Sequence, residues 1–266
     1  MPRILVTNDD SYLSKGLYLL YDSVKGLGEA RIYSTIWPRS AVGHVVSLNK
    51  PLRLDLIEYQ GYRVYVTDGS PVDALHLAIA VHKFQPDVVL SGVNVGENLS
   101  IQHVVYSGTL AVAIEAALMG IPALAFSADV EVFEEFDDPI VVAMVRCVAR
   151  ELTRYVLNYG LPRGVDLLSI NFPSPERFKG CIRVSSAARR RWFPAFEQRL
   201  DTRGRPYYWL LPRQLPPEPG TDVYATMVEG CISVTPLSVD MNAQPATEVN
   251  HIIKRLEHEL KKIVST

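Results

Sequence analysis

The sequence predicts a doubly wound α/β fold, a mostly parallel sheet with helices on both faces. Three observations predict it. Short apolar, β-prone runs alternate with segments of helical periodicity over the first 172 residues. The polar clusters come directly after the β-prone runs, as they do in a parallel sheet whose loops converge on one edge. The chain has 266 residues, 48% hydrophobic and 21% charged, which suits one large core.

Taken in order, Arg3-Ile4-Leu5-Val6-Thr7-Asn8 reads as a buried strand ending in Asp9 and Asp10. Leu17, Leu20, Tyr21 and Val24 recur at i, i+3, i+4 and i+7, which predicts a helix over 17–24. A strand over 30–36 completes a βαβ unit with a right-handed crossover. A polar loop over 37–44 leads to an extended excursion (45–48 and 52–59) and a strand over 63–67. Ser70 is a good N-cap and Pro71 a good first helical residue, with helix continuing over 74–84. A strand over 88–91 runs into Gly92-Val93-Asn94-Val95-Gly96-Glu97-Asn98, and a polar loop reaches Tyr106. Ser107-Gly108-Thr109 opens a helix over 110–119, closed by Gly120 and Pro122. A strand over 123–127, a helix over 140–155 and a strand over 166–172 finish the alternation.

Beyond Pro173 the character changes. Residues 182–211 hold Arg189, Arg190 and Arg191, then Trp192 and Phe193, then Tyr207-Tyr208-Trp209-Leu210-Leu211. The stretch 201–204 reads as a hairpin loop between two β-prone arms. Such an arm has no core of its own, so its surface goes to a partner subunit or back onto its own sheet. A Pro-rich linker (216–220), a strand over 231–236 and a charged helix over 248–264 complete the chain. Ile252, Leu256, Leu260 and Ile263 lie on one face of that helix.

Net charge is −2 and pI about 6.3, so no polynucleotide is expected as the main partner. No run of 18 uncharged apolar residues predicts a membrane helix, and no signal-peptide pattern opens the chain. Cys147, Cys181 and Cys231 are few, odd in number and widely spaced, matching neither a zinc site nor a disulfide framework. They are expected to be buried reduced thiols in a cytoplasmic protein.

Adjacent like charges at a strand end call for a cation, a shared proton or full hydration. Asp9 and Asp10, the Ser40 hydroxyl and the Asn94 amide oxygen make an oxygen-only donor set suited to Mg²⁺, Mn²⁺ or Ca²⁺. Ser107-Gly108-Thr109, at a helix start, suits either a phosphate or plain capping. His44 is a candidate substrate contact. His76, His82, His251 and His258 read as structural, and His103 stays open.

These stretches together resemble the SurE (survival protein E) family of nucleotidases and phosphatases. The resemblance rests on ILVTNDD at 4–10, Arg39-Ser40 with Gly43-His44, Gly69-Ser70-Pro71-Val72-Asp73, Ser91-Gly92-Val93-Asn94 with Gly96-Glu97-Asn98-Leu99, and Tyr106-Ser107-Gly108-Thr109. It implies a Rossmann-like core with a protruding β-hairpin and an exchanged C-terminal segment. On this chain that means a single domain over 1–266, with core 1–180, arm 181–215 and dimerisation segment 216–266. It implies a metal-dependent phosphomonoesterase acting on nucleoside 5′- and 3′-monophosphates, in a homodimer or tetramer. One Mg²⁺ or Mn²⁺ per subunit would be held by Asp9, Asp10, Ser40 and Asn94. Asp9 and Asp10 would be the catalytic pair, and Asn98, Ser107, Gly108 and Thr109 the phosphate binders. Two positions depart from the family pattern. Ser11 stands where glycine is usual, and Val46 where a small polar residue is common.

Three other functions compete. A response-regulator receiver needs a phospho-accepting aspartate and a lysine that this chain lacks after the corresponding strands. A haloacid-dehalogenase-type phosphatase needs its aspartates one residue apart, and these are adjacent. A non-catalytic nucleotide sensor would keep the same pocket.

Overall fold

The structure, a computed structural model, describes residues 1–242 and, beyond them, 249, 250, 253, 254, 256, 257 and 260. The helix expected over 248–264 therefore falls largely outside the described residues.

The chain runs β1 (Arg3–Thr7), α1 (Lys15–Val24), β2 (Glu29–Thr35), β3 (Leu54–Tyr59), β4 (Tyr62–Thr67), α2 (Pro71–Ala80) and β5 (Val88–Val95). It continues through α3 (Ser100–Tyr106), α4 (Gly108–Leu118), β6 (Ala123–Ala128), α5 (Pro139–Tyr159) and β7 (Leu167–Phe172). The last third holds β8 (Ile182–Val184), β9 (Trp192–Phe193), β10 (Phe196–Leu200), β11 (Pro206–Leu210), β12 (Arg213–Gln214), α6 (Asp222–Met227) and β13 (Ile232–Leu237).

Nine strands form one sheet in the order β3-β4-β2-β1-β5-β6-β7-β13-β8. From β4 to β7 every neighbouring pair is parallel, while β3 and β13 join β4 and β7 antiparallel. The chain leaves β1 in one direction for β2 and later returns to its other side with β5. The crevice between β1 and β5 is thus a topological switch point, where open α/β sheets bind ligands. The two sheet faces carry separate cores. Leu17, Leu20, Val141 and Val145 of α1 and α5 pack on one, and Val72, Leu75, Leu110 and Val112 of α2 and α4 on the other. That confirms the doubly wound α/β reading.

Several expectations need correction. Cys181 and Cys231 are not reduced thiols. They form a disulfide with Cα atoms 4.7 Å apart, and Cys147 is exposed rather than buried. β8 and β13 pair in parallel with Ile182 opposite Ile232, so the cysteine before each strand meets the other in register. A separation of 50 residues hides that meeting from any reading by spacing. The polar loop expected before Tyr106 contains α3 instead. No side chain caps this helix locally. Its first N–H groups go to distant acceptors, Ser100 N to Asp222 Oδ2 (2.7 Å) and Ile101 N to the Ala188 carbonyl (2.7 Å). Helix α2 starts as the sequence predicts, with Ser70 and Asp73 forming a capping box. It ends at Ala80 rather than 84, because Lys83 takes φ 53° and turns Phe84 into the core.

β10 and β11 form a separate hairpin outside the main sheet, with Asp201–Gly204 at its tip. Phe196, Tyr208 and Trp209 are exposed on it. The hairpin does not fold back onto its own sheet. The sheet itself draws β8 and β13 from beyond residue 180. Among the described residues no single helix is long and apolar enough to cross a membrane.

Candidate active site

β1 delivers Asp9 and Asp10 to the switch point, and the turn after them is built from within. Asn8, fully buried, donates through its side-chain nitrogen to the Ser11 carbonyl (2.8 Å) and accepts from Ser34 Oγ (2.6 Å). Ser11 sits at φ 73°, the left-handed region where glycine is at ease and serine is strained. The glycine that the resemblance leads one to expect at this position thus has a physical reason. The backbone N–H of Arg39 donates to the Asp9 carbonyl (2.7 Å) and brings the Ser40 loop to the same edge.

Asp9 is 3% exposed and Asp10 7%, so two carboxylates lie side by side with little water. Thr109 donates its hydroxyl to Asp9 Oδ1, and the backbone of Gly108 and Thr109 lies near enough to the same carboxylate to favour its charge. The anionic group at the N-terminus of α4 is therefore Asp9 itself. A side chain at position 108 would put its Cβ 2.7 Å from Asp9 Oδ2, so only glycine lets the helix approach so closely. Val95 N donates to Asp10 Oδ2 (2.9 Å). Burial raises the Asp9 pKa despite the hydrogen bonds that oppose it. Burial and then the neighbouring Asp9 charge push Asp10 up to about 7.

Asn94 ends β5 beside them. Its Nδ2 donates to the carbonyls of Val95 (2.9 Å) and Gly96 (2.8 Å), which turns Oδ1 toward Thr109 Oγ1 at 3.3 Å. Among the described residues no ion pair engages Asp9 or Asp10. Nor is any group of three or more His, Cys, Asp or Glu side chains among those residues placed to hold a metal ion by itself. A cation here would rely on hydroxyl and amide oxygens as well as carboxylates, and such donors suit a hard divalent ion.

Asp9, Ser40, Asn94, Asn98 and Ser107 line one cavity of about 270 Å³. Asn98 donates from Nδ2 to Ser127 Oγ (2.8 Å), and its N–H donates to Asn171 Oδ1 (2.8 Å). Ser107 Oγ accepts from Leu110 N (3.1 Å), so this hydroxyl caps α4. His44 does not line the cavity. Its Nε2 lies 2.7 Å from Glu115 Oε2, and His76 holds the other oxygen at 2.8 Å. His103, Tyr106 and Trp192 line the cavity too. Sequence reasoning leaves His103 open and assigns Trp192 to the arm. A tryptophan so far along the chain from Ser107-Gly108-Thr109 gives no local sign that it returns.

The family model described as Survival protein SurE matches residues 4–194. A 5′-nucleotidase SurE of Hyperthermus butylicus is 44% identical over 91% of this chain and 86% of its own length. One from Thermofilum pendens is 40% identical over 98% of this chain and 100% of its own. The crystal structure of the SurE protein from Aquifex aeolicus superposes with a TM-score of 0.77 at 32% identity, covering 96% of this chain and all of that one. With the acidic pair, Asn94 and the Ser107-Gly108-Thr109 helix start assembled at one switch point, and with these relatives matching nearly end to end, the chain belongs to the SurE family.

Proposed function

We propose that this chain hydrolyses nucleoside 5′-monophosphates, and 3′-monophosphates, to nucleoside and phosphate at the Asp9–Asp10 edge. It is a phosphoric monoester hydrolase of the 5′-nucleotidase class, in line with the names its curated relatives carry. One Mg²⁺ or Mn²⁺ per subunit would be held by Asp9, Asp10, Ser40 and Asn94. The observation that carries this is the pair of buried adjacent carboxylates that no ion pair engages among the described residues.

The cation, when bound, supplies charge neutralisation for the phosphate and acidifies a water molecule. The protein supplies the rest. Asp9, which lines the cavity, orients the attacking water and takes its proton as the water oxygen bonds phosphorus. The bond to the ester oxygen breaks, and that oxygen takes a proton from solvent to leave as the nucleoside hydroxyl. Asp10, pinned by Val95 N, serves as a ligand only. Asn98 and Ser107, which line the cavity, receive the phosphate oxygens, while Gly108 and Thr109, expected from the sequence to bind phosphate as well, hold Asp9 in place instead. His44, held by Glu115 outside the cavity, steadies the Ser40 loop rather than touching substrate.

A homodimer or tetramer would cover the exposed Phe196, Tyr208 and Trp209 of the hairpin. We place the protein in the cytoplasm on its composition, and the Cys181–Cys231 disulfide is the observation that weighs against it. The deciding experiment measures phosphate released from AMP with Mg²⁺, with Mn²⁺ and with excess chelator. Release that needs the cation is expected. No release with either metal, or equal release in chelator, overturns the proposal.

A further inference from the structure

The cavity that holds Asp9 and Asn94 also has an aromatic lining, and one of its rings is fixed by a relay of hydrogen bonds. Trp192 comes from the root of the arm. The backbone N–H groups of Arg191 and Trp192 both donate to Gln102 Oε1, at 3.0 and 3.1 Å. Arg191 Nε donates to Glu97 Oε1 (3.0 Å), in an ion pair only 12% and 14% exposed. Glu97 Oε2 meets His103 Nδ1 at 2.9 Å, and Trp192 Nε1 donates to His103 Nε2 at 2.9 Å.

An indole N–H can only donate, so His103 Nε2 must accept and Nδ1 must carry the proton that Glu97 receives. Burial works to raise the Glu97 pKa, but bonds from His103, Leu99 N and Arg191 hold it below its ordinary value, so the carboxylate is ionised to receive that proton. Both ring nitrogens of His103, both Glu97 oxygens and Trp192 Nε1 are engaged within the relay. The indole has no hydrogen bond left for a ligand and offers only its π face. The Tyr106 ring lies 6.0 Å from it, already in aromatic contact, so a third ring is received against the pair and not between them.

We propose that Trp192, backed by Tyr106, is the surface on which the nucleobase of the substrate stacks, and that Glu97 and His103 are its positioning residues. This rests on the nucleotidase reading and adds a specificity to it. A π face without a free donor or acceptor favours any base over none and distinguishes poorly among bases, because every base has a stacking face.

The test compares kcat/KM for AMP and CMP with that for glycerol 2-phosphate, which carries the same ester and no base. In Trp192→Ala the ratio of nucleotide to glycerol phosphate is expected to fall about ten-fold, equally for both nucleotides and through KM. Trp192→Phe, which keeps a ring, retains most of the ratio, and Trp192→Leu, which keeps bulk alone, loses it. A ratio unchanged in both the Ala and Leu variants, while the wild type cleaves both esters, overturns this inference alone. A wild type inert toward both esters overturns the nucleotidase reading and this inference with it. Should the Ala variant fail to fold, the Phe and Leu pair decides.

Discussion

The switch-point edge and the arm invert the usual rule of burial in opposite senses. At the edge, Asn8, Asp9, Asp10, Asn98 and Thr109 are polar and buried. On the arm, Phe196, Leu200, Tyr208 and Trp209 are apolar and exposed. Burying two carboxylates costs free energy unless a charge answers them, and exposing a cluster of rings costs it unless a surface covers them. Each inversion is where the proposed function puts something outside the polypeptide: a cation and phosphate at the edge, another protein surface on the arm. The edge is over-determined by hydrogen bonds that reach it from β2, β5 and α4. The arm is held by its own ladder and by its root at Gln102 and Glu97.

Predictions that break or sharpen this contrast run from the largest effect to the smallest. Asp9→Asn or Asp10→Asn should lower turnover by roughly 10³-fold, on the scale of losing a preorganised electrostatic group, while the fold persists. Phosphate release and circular dichroism measured on the same samples check this, and near-normal turnover in either variant would sever the acidic pair from the chemistry. Cys181→Ser with Cys231→Ser should cost about 4 kcal/mol, the chain-entropy value for a loop of this size, read from urea denaturation. A loss well under that would mean the arm is anchored without its covalent staple.

The third prediction concerns pH. Folding raises the pKa of Asp9 and Asp10 above the unfolded 3.8, Asp10 to about 7. The folded protein therefore binds more protons than the unfolded chain across that window. Metal-free stability should fall as pH rises from about 4 through 7. Asp73, Glu97 and Glu115 are held low and lose their contribution only on the acid side. Saturating Mg²⁺ or Mn²⁺ competes with the protons and should remove the slope. Denaturation at pH 5 and pH 8, with and without cation, tests it, and a metal-free stability that rises with pH would contradict it. The smallest effect belongs to Ser11→Gly. Relief of the left-handed serine should stabilise by about 1 kcal/mol, less the Leu13 N bond to Ser11 Oγ that is lost with it. A destabilised variant would show that the hydroxyl matters more than the strain.

The features legible in the sequence are the local ones. The strands and helices of the first 172 residues announce themselves through periodicity and through caps such as Ser70 and Pro71, and the acidic pair through its position after β1. Adjacent carboxylates, Asn94 and the α4 start are legible because a parallel sheet gathers the loops after its strands at one edge. The features that escaped depend on chain segments meeting from afar. Helix α3 is capped by Asp222 and Ala188, the disulfide depends on the β8–β13 register, and Trp192 reaches the cavity only because Glu97 and Gln102 receive the arm's root. None of these leaves a trace within a window of neighbouring residues.

The Cys181–Cys231 bond also changes what it means to cut this chain. Everything from β8 to the start of β13, arm and tip included, becomes a covalent ring closed on the edge of the sheet. A protease that nicks the exposed turn at Asp201–Gly204 would open the ring without releasing either half. The two pieces would migrate as one species until a reductant is added, and β13 would stay bonded to β7 throughout. This exposed turn is thus a place where backbone scission has little effect on which parts stay together.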